Sequence, residues 1–387
     1  MIPNYHGGRK VSIPNLESDY DNCQNGLEID ADAFIFLTLI KNGILSPLEG
    51  FNTYEETLSI MNSSKLPSGI PWSIPFLLHV SDDETRKIRS EGEIVLKYNG
   101  KAIATMNFDD TFSLDPDEYC SKIFGTNDQT HPGVKKFYMK GNTFAQGKIS
   151  GLSSENSVFG FKQPDPEAIR ELFHSRNYKT VTAFQTRNPP HRGHEFLHKF
   201  SLLSTDALFI NPVMGPKKDG DFSDNEIFES YKTYVENYLP KERTLLMPLI
   251  YTMQYAGPRE ALIHMIMRKN LGCTHFVIGR DHAGVGSFYK PYAARDYIMQ
   301  LGDLGITPIF LREAYYCNSC MEIANEDICP HEESEKVHFS GTKIRGIFEN
   351  HNMPKPHEMR KEVYNRIVSL RSSEKSVVNR NEIVQQA

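Results

Sequence analysis

The chain has 387 residues, with 49 Asp and Glu against 43 Lys and Arg, a formal charge of −6, and 24% charged and 39% hydrophobic residues. That balance is typical of a globular protein of two or three domains; it argues against a general nucleic-acid binder but leaves room for a local basic site for a small anion. No apolar run reaches the ~20 residues that span a bilayer, and the start, Met1 to His6, lacks a charged-then-apolar leader, so no membrane attachment and a cytoplasmic location are expected.

Residues 1–162 read as a β-rich, barrel-like domain with a helix or two. A helix is expected over 30–42, with Phe34, Leu37, Thr38 and Ile40 inward and Gly43 as its stop. The stretch 72–80 is an apolar strand candidate. Residues 93–98 and 101–108 flank Asn99-Gly100, the pair that supplies both positive-φ positions of a type I′ hairpin turn. After Gln163-Pro164, Asp165 caps a helix over 166–176 with Pro166 at its first position.

From there strands and helices alternate. Strands are expected at 180–184, 207–213, 244–249, 275–278 and 307–311, and helices at 195–203, 226–239, 258–270 and 291–301. This repetition implies an α/β domain over 163–314 built on a doubly wound parallel sheet. Residues 315–387 form a small C-terminal domain with a cysteine cluster, a helix over 361–370 and a polar ending, 372–387, expected to fray. There is no internal repeat and no low-complexity tract.

The stretch 180–195 reads T-V-T-A-F-Q-T-R-N-P-P-H-R-G-H-E. A buried strand breaks into Gln185-Thr186-Arg187-Asn188, two prolines hold the loop extended, and His191-Arg192-Gly193-His194 leads into a helix. In an open α/β sheet, ligands bind where strand, loop and helix start meet. N–H groups at the helix start favour an anion, Arg187 supplies a planar cationic fork, and His191 and His194, three apart, can donate to phosphate oxygens. The simplest ligand is a nucleoside triphosphate.

A second loop after a strand, Gly279-Arg280-Asp281-His282-Ala283-Gly284, lets backbone approach a ligand; Arg280 suits phosphate and Asp281 suits a hydroxyl or amine. A third, His338-Phe339-Ser340-Gly341-Thr342-Lys343-Ile344-Arg345, starts with a good N-cap and carries two cations. Lys217 and Lys218 face phosphate or are solvated loop charges. Arg259 and Glu260 lean toward structural support rather than a site pair.

Cys317, Cys320, Cys329 and His331 supply the three thiolates and one imidazole of a closed, structural zinc site, with His338 as the alternative fourth ligand. Cys23, Cys120 and Cys273 are scattered and read as small buried hydrophobes; six cysteines are too few for a disulfide scaffold.

The segment Gln185 to Glu195 resembles the signature of the ATP sulfurylase family, and Val277 to Gly284 follows that family's pattern without a gap. Met253 to Glu260 is similar too, except that Gln254 stands where the family pattern has Arg. Asn25 to Glu28, Ser46 to Phe51 and Thr130 to Val134 resemble its amino-terminal domain, and the cysteine cluster looks like that of zinc-containing prokaryotic members.

The resemblance implies a Rossmann-like nucleotidylyltransferase fold, an N-terminal PUA-like β-barrel, and conversion of ATP and sulfate to adenosine 5′-phosphosulfate (APS) and pyrophosphate. It implies that Gln185, Arg187 and the Ala283 backbone hold sulfate. Thr186 and Asn188 attend the α-phosphate, His191 and His194 the β- and γ-phosphates, and Gly279, Arg280, Asp281 and His282 the ribose, base and phosphate. Phe339 or Val337 flanks adenine, magnesium arrives with ATP, and the protein is a homodimer. No G-x-x-x-x-G-K-[ST] segment is present, so no fused kinase domain is expected. The competing readings are another H-x-G-H adenylyltransferase with an organic phosphate acceptor, and a nucleotide- or RNA-binding protein without turnover.

Overall fold

The Asn99-Gly100 pair takes φ 51 and 76 in the computed structural model, closing the expected hairpin between strands Glu93–Tyr98 and Lys101–Ser113. The structure describes residues 2–16, 20, 26–88, 92–154, 157–217 and 220–385; Asn25, Cys23, Lys218 and Asp219 lie outside them. The described chain divides into two units, Met1–Lys179 with Ile250–Phe310, and Thr180–Leu249 with Leu311–Ala387.

In the first unit the hairpin is the centre of a sheet ordered Gly26–Glu28, Glu93–Tyr98, Lys101–Ser113, Thr143–Leu152 and Gly50–Phe51, with Leu78–His79 also paired to Thr143–Leu152. A Cβ on Gly147 would lie 2.0 Å from the Asn107 carbonyl oxygen, so glycine there permits the close pairing of the two longest strands. Phe36, Leu96, Met106 and Phe144 are buried in its core.

Two expectations need correction. This part holds five helices among the described residues, Ala31–Lys41, Tyr54–Ser63, Asp82–Ile88, Pro116–Phe124 and Pro132–Lys140. The apolar stretch 72–80 is a strand only at Leu78–His79. Pro71 and Pro75 cannot donate to a ladder, and Trp72 is instead fully buried with its indole N–H on the Ile74 carbonyl (2.9 Å).

The first unit continues with helix Pro166–Ser175, capped by Asp165 as expected, and with helix Pro258–Asn270 and the parallel pair His275–Ile278 and Thr307–Phe310. Tyr292, at φ 64, stands at the N-cap position of Ala293–Met299 without a side-chain capping bond, and that helix starts two residues later than expected.

In the second unit, Val181–Thr186 runs parallel to Ala207–Met214 in register Val181 to Ala207 through Thr186 to Pro212; Thr244–Leu246 joins on the far side of Ala207–Met214. Every residue of Ala207–Met214 is buried, as a strand covered on both faces requires. Pro248 ends the expected 244–249 strand early. Helix Asp224–Tyr238 opens with a capping box between Ser223 and Glu226.

The cysteine segment forms a small antiparallel sheet of Glu322–Ala324, Tyr315–Cys317 and Lys336–His338. The last helix, Lys361–Gln385, runs through most of the ending expected to fray. Among the described residues no helix is long and apolar enough to cross a membrane.

Candidate active site

In the second unit the helix after the strand begins at Arg192, earlier than its apolar pattern suggests, because His191 is its N-cap. The ring Nδ1 of His191 accepts the His194 backbone N–H at 3.2 Å. That nitrogen therefore carries a lone pair, and Nε2 carries the proton of the neutral ring. The His194 ring stacks on His191 at 3.7 Å between centroids, and Phe339 stacks on His191 at 5.2 Å, nearly parallel. Burial, then the neighbouring His194 and His198, hold the His191 pKa well below the usual histidine range; burial lowers that of His194 to about 4. Both rings are therefore neutral at physiological pH.

His194 meets the Tyr231 hydroxyl at Nδ1 (3.2 Å) and is bonded to the Pro189 carbonyl. The Thr186 hydroxyl bonds to Tyr231, accepts the Asn188 N–H and donates to the Asn188 carbonyl, both at 3.1 Å. Thr186 thus shapes the loop that presents Arg187. Asn188 lies against Gly341, where a Cβ would be 3.3 Å from its Oδ1.

The helix is anchored by Glu195, whose buried carboxylate takes both a 2.6 Å and a 2.9 Å bond from Arg360 and a 2.7 Å pairing with Lys199. Burial raises the Glu195 pKa, but the bonds from Arg360 and Lys199 outweigh it and leave the carboxyl below its ordinary value. Arg192 donates its backbone N–H to the Glu358 carbonyl (3.0 Å), and Lys343 pairs with the Glu358 carboxylate (3.2 Å). Ser340 caps Gly341–Glu349 as expected; Arg345 reaches Asp221 and Thr342 at 3.3 Å. Lys217 is tied to Asp224 (2.9 Å) and to the Val213 carbonyl, at the two ends of its loop.

In the first unit, Arg280, Asp281, His282, Gly284 and Lys290 line a cavity of about 230 Å³. Ala283 takes φ 57, a left-handed conformation that costs a non-glycine residue ~1 kcal/mol, and its carbonyl is held by the Gly257 N–H at 3.1 Å. His282 Nε2 lies 3.1 Å from His264 Nδ1.

His131 gives the Thr130–Val134 segment its purpose. Its Nδ1 caps helix Pro132–Lys140, accepting from Gly133 and Val134, and its Nε2 donates to the Tyr255 carbonyl at 3.1 Å. Arg259 spends its guanidinium on the Ile60, Met61 and Ser73 carbonyls, which makes it a structural residue.

The sulfur atoms of Cys317, Cys320 and Cys329 and Nδ1 of His331 lie within 4.8 Å of one another. Edges of 3.7 Å (Cys320 to Cys329) and 3.6 Å (Cys329 to His331) match the ~3.6–3.8 Å edges of a tetrahedron with zinc bond lengths, and the 3.3 Å edge from Cys320 to His331 is somewhat shorter. His338 instead bonds Glu333 (2.5 Å) and lies 3.5 Å from Glu313, so the fourth member of the cluster is His331.

Sequence reasoning did not find Tyr231, Arg360, Glu358 or His264. Each is an ordinary helix or loop residue until the fold brings it to its partner.

Behind a PUA-like domain, matched over residues 10–154, the chain carries an α/β nucleotide-binding fold with a parallel sheet. The ATP-sulfurylase family pattern matches residues 163–370. Over 377 residues the chain is 42% identical to a sulfate adenylyltransferase from Pyrococcus abyssi, covering 96% of this chain and 98% of that one. Over 369 residues it is 41% identical to one from Hyperthermus butylicus, covering 94% and 95%. A solved hexameric APS kinase from Thiobacillus denitrificans shares the fold, with TM-score 0.71 over 95% of this chain and 68% of that one at 19% identity. The chain belongs to the ATP-sulfurylase family.

Two outcomes follow from the geometry. A Cβ on Gly193 would lie 2.7 Å from Phe339 Cδ2 and 3.1 Å from His191 Cε1. Gly193→Ala should therefore raise the KM for nucleotide and fail to deliver the ~1 kcal/mol that alanine normally adds inside a helix. A higher melting temperature with unchanged KM would refute the stacking role. Second, the folded pKa of His194 lies below that of the unfolded chain, so acid protonates the unfolded chain first. Stability should be level above pH 6.5 and fall toward pH 4. Melting curves of His194→Asn should show a shallower fall; an identical slope would contradict the assignment.

Proposed function

We propose that the chain transfers the adenylyl group of ATP to sulfate, forming APS and pyrophosphate, or runs the reverse. The observation that carries this reading is the end-to-end similarity to relatives named sulfate adenylyltransferase. A sulfate oxygen attacks the α-phosphorus in line and pyrophosphate leaves. Sulfate is already fully ionised at neutral pH, so neither a protein nucleophile nor a general base is needed. The protein's work is to position two mutually repelling anions and to stabilise the charge that develops.

Gln185, Arg187 and the Ala283 backbone hold sulfate in this reading; the left-handed Ala283 supports it because strained backbone concentrates at ligand sites. Asn188 attends the α-phosphate, with Thr186 fixing the loop beneath it. His191 holds the leaving phosphates through its Nε2–H; His194 joins by exchanging the Pro189 carbonyl for a phosphate oxygen. Gly279, Arg280, Asp281 and His282 take the remaining nucleotide contacts, and Phe339 flanks the base. Magnesium enters with ATP, since the described residues offer no all-carboxylate cage. The domains run 1–162, 163–314 and 315–387, and the protein is a cytoplasmic homodimer.

Zinc fits Cys317, Cys320, Cys329 and His331. With four protein ligands and no open position, it would cross-link the small sheet around Tyr315–Cys317 and take no part in the chemistry. The His331 backbone N–H lowers the Cys329 thiol to about 6, favouring the thiolate a metal binds. The purified protein should hold one zinc per chain by elemental analysis, and Cys317→Ser should lose it together with several degrees of melting temperature. A full-strength Cys317→Ser protein of unchanged stability would remove zinc from this account.

The central test is sulfate-dependent pyrophosphate release from ATP with magnesium, pulled by pyrophosphatase, or ATP formation from APS and pyrophosphate. Arg187→Ala should lose at least ~100-fold in kcat, as expected for one transition-state electrostatic contact. Wild-type protein that binds ATP yet shows no sulfate dependence in either direction would overturn the assignment.

A further inference from the structure

The cavity-lining His282 is backed by a buried chain of groups that reaches it from the start of helix Pro258–Asn270. Glu260, in the first turn, is fully buried and accepts the Gln254 N–H at 2.7 Å and the Ala256 N–H at 3.1 Å. His264 follows one turn later, also fully buried, with Nε2 3.6 Å from Glu260 Oε1 and Nδ1 3.1 Å from His282 Nε2. The first separation is too long for a strong hydrogen bond, but it decides polarity. A ring lone pair facing a buried carboxylate oxygen is repelled, whereas an N–H is attracted. With both rings neutral, His264 is therefore protonated at Nε2 and bare at Nδ1, which obliges His282 to donate from its own Nε2. The lone pair of the neutral His282 ring then sits on Nδ1.

We propose that Glu260 and His264 are positioning residues that fix His282 as a hydrogen-bond acceptor, so that His282 reads a donor on the nucleotide, a ribose hydroxyl or the adenine amine, rather than a phosphate oxygen. A neutral acceptor has nothing to offer an anionic oxygen. Arg280 and Lys290, on the same cavity wall, supply the positive charge that a phosphate needs. Within one cavity the loop thus separates polar reading from charge reading. The inference rests on the reading above that this loop contacts ATP.

The test uses the full-length protein with ATP, 2′-deoxy-ATP, 3′-deoxy-ATP and purine riboside triphosphate, which lacks the exocyclic amine. One analogue should lose about 10-fold in kcat/KM with the wild type, the effect of one neutral hydrogen bond, and so identify the donor. His264→Leu should lose about the same factor with ATP but show no further loss with that analogue. His264→Asn, whose carbonyl can accept from His282, should recover most of the loss. Independently of any variant's folding, 15N shifts of the wild-type His282 ring should show Nε2 protonated and Nδ1 bare. Protonation at Nδ1, or a His264→Leu protein that discriminates among the analogues as the wild type does, would overturn the proposal. Failure of the functional reading itself would look different, as absence of sulfate-dependent turnover in the wild type.

Discussion

A ring nitrogen that accepts a backbone N–H cannot also carry a proton, and this constraint organises both units. His191 uses Nδ1 to cap the helix Arg192–Ser204, and His131 uses Nδ1 to cap Pro132–Lys140. In each case this cap fixes where a helix starts, which tautomer the ring adopts and where its other nitrogen points. Burial reinforces the choice at His191 by penalising the charged form. The histidines of the H-x-G-H segment are therefore neutral rings of fixed orientation. The positive potential beside them comes from Arg187 and from the N–H groups of the helix start. In the proposed reading, an oriented neutral donor needs no proton uptake when an anion arrives, which is the preorganisation that reading requires.

The helix that carries these rings would be free to shift if it were held only by its apolar residues. Phe200 and Leu203 are exposed at 39% and 88%, and the buried face instead includes Glu195, His198 and Ser201. Polar anchoring adds to the single large apolar side chain the helix buries, Leu202. The forked Arg360–Glu195 pair and the Arg192–Glu358 backbone bond staple residues 358–360 to the first turn. Burying Glu195 is costly unless every oxygen is matched, and Arg360 with Lys199 matches both. The same segment restrains Lys343 through Glu358, so the third loop and the helix start share one support.

Local signals were legible wherever one or two neighbouring residues decide the backbone. Asn99-Gly100 specified the hairpin turn, Asp165-Pro166 the start of its helix, and Pro258–Asn270 and His275–Ile278 were readable to the residue. The reading faltered where an uncommon residue stands at the N-cap position, as His191 and Tyr292 do, and where a proline interrupts an apolar run, as Pro75 and Pro248 do. The N-terminal helices beyond the first were missed because their inward faces are short. Pro132–Lys140, for instance, buries only Gly133, Val134 and Phe137.

The sequence by itself determined the alternation of strands and helices from residue 166 to 310, the Cys317–His331 ligand spacing and the family, because each depends on residue types at short separations. Only the tertiary structure decided between His331 and His338, since both are close in sequence to the cysteines but one is claimed by Glu333 and Glu313. It alone assigned Arg259 to the carbonyls of Ile60, Met61 and Ser73, Tyr231 to His194, and His264 to His282. These roles rest on a few hydrogen bonds to partners 18 to 199 residues away. Such a bond forms within a few tenths of an ångström or not at all, and no pattern along the chain encodes a distance of that kind.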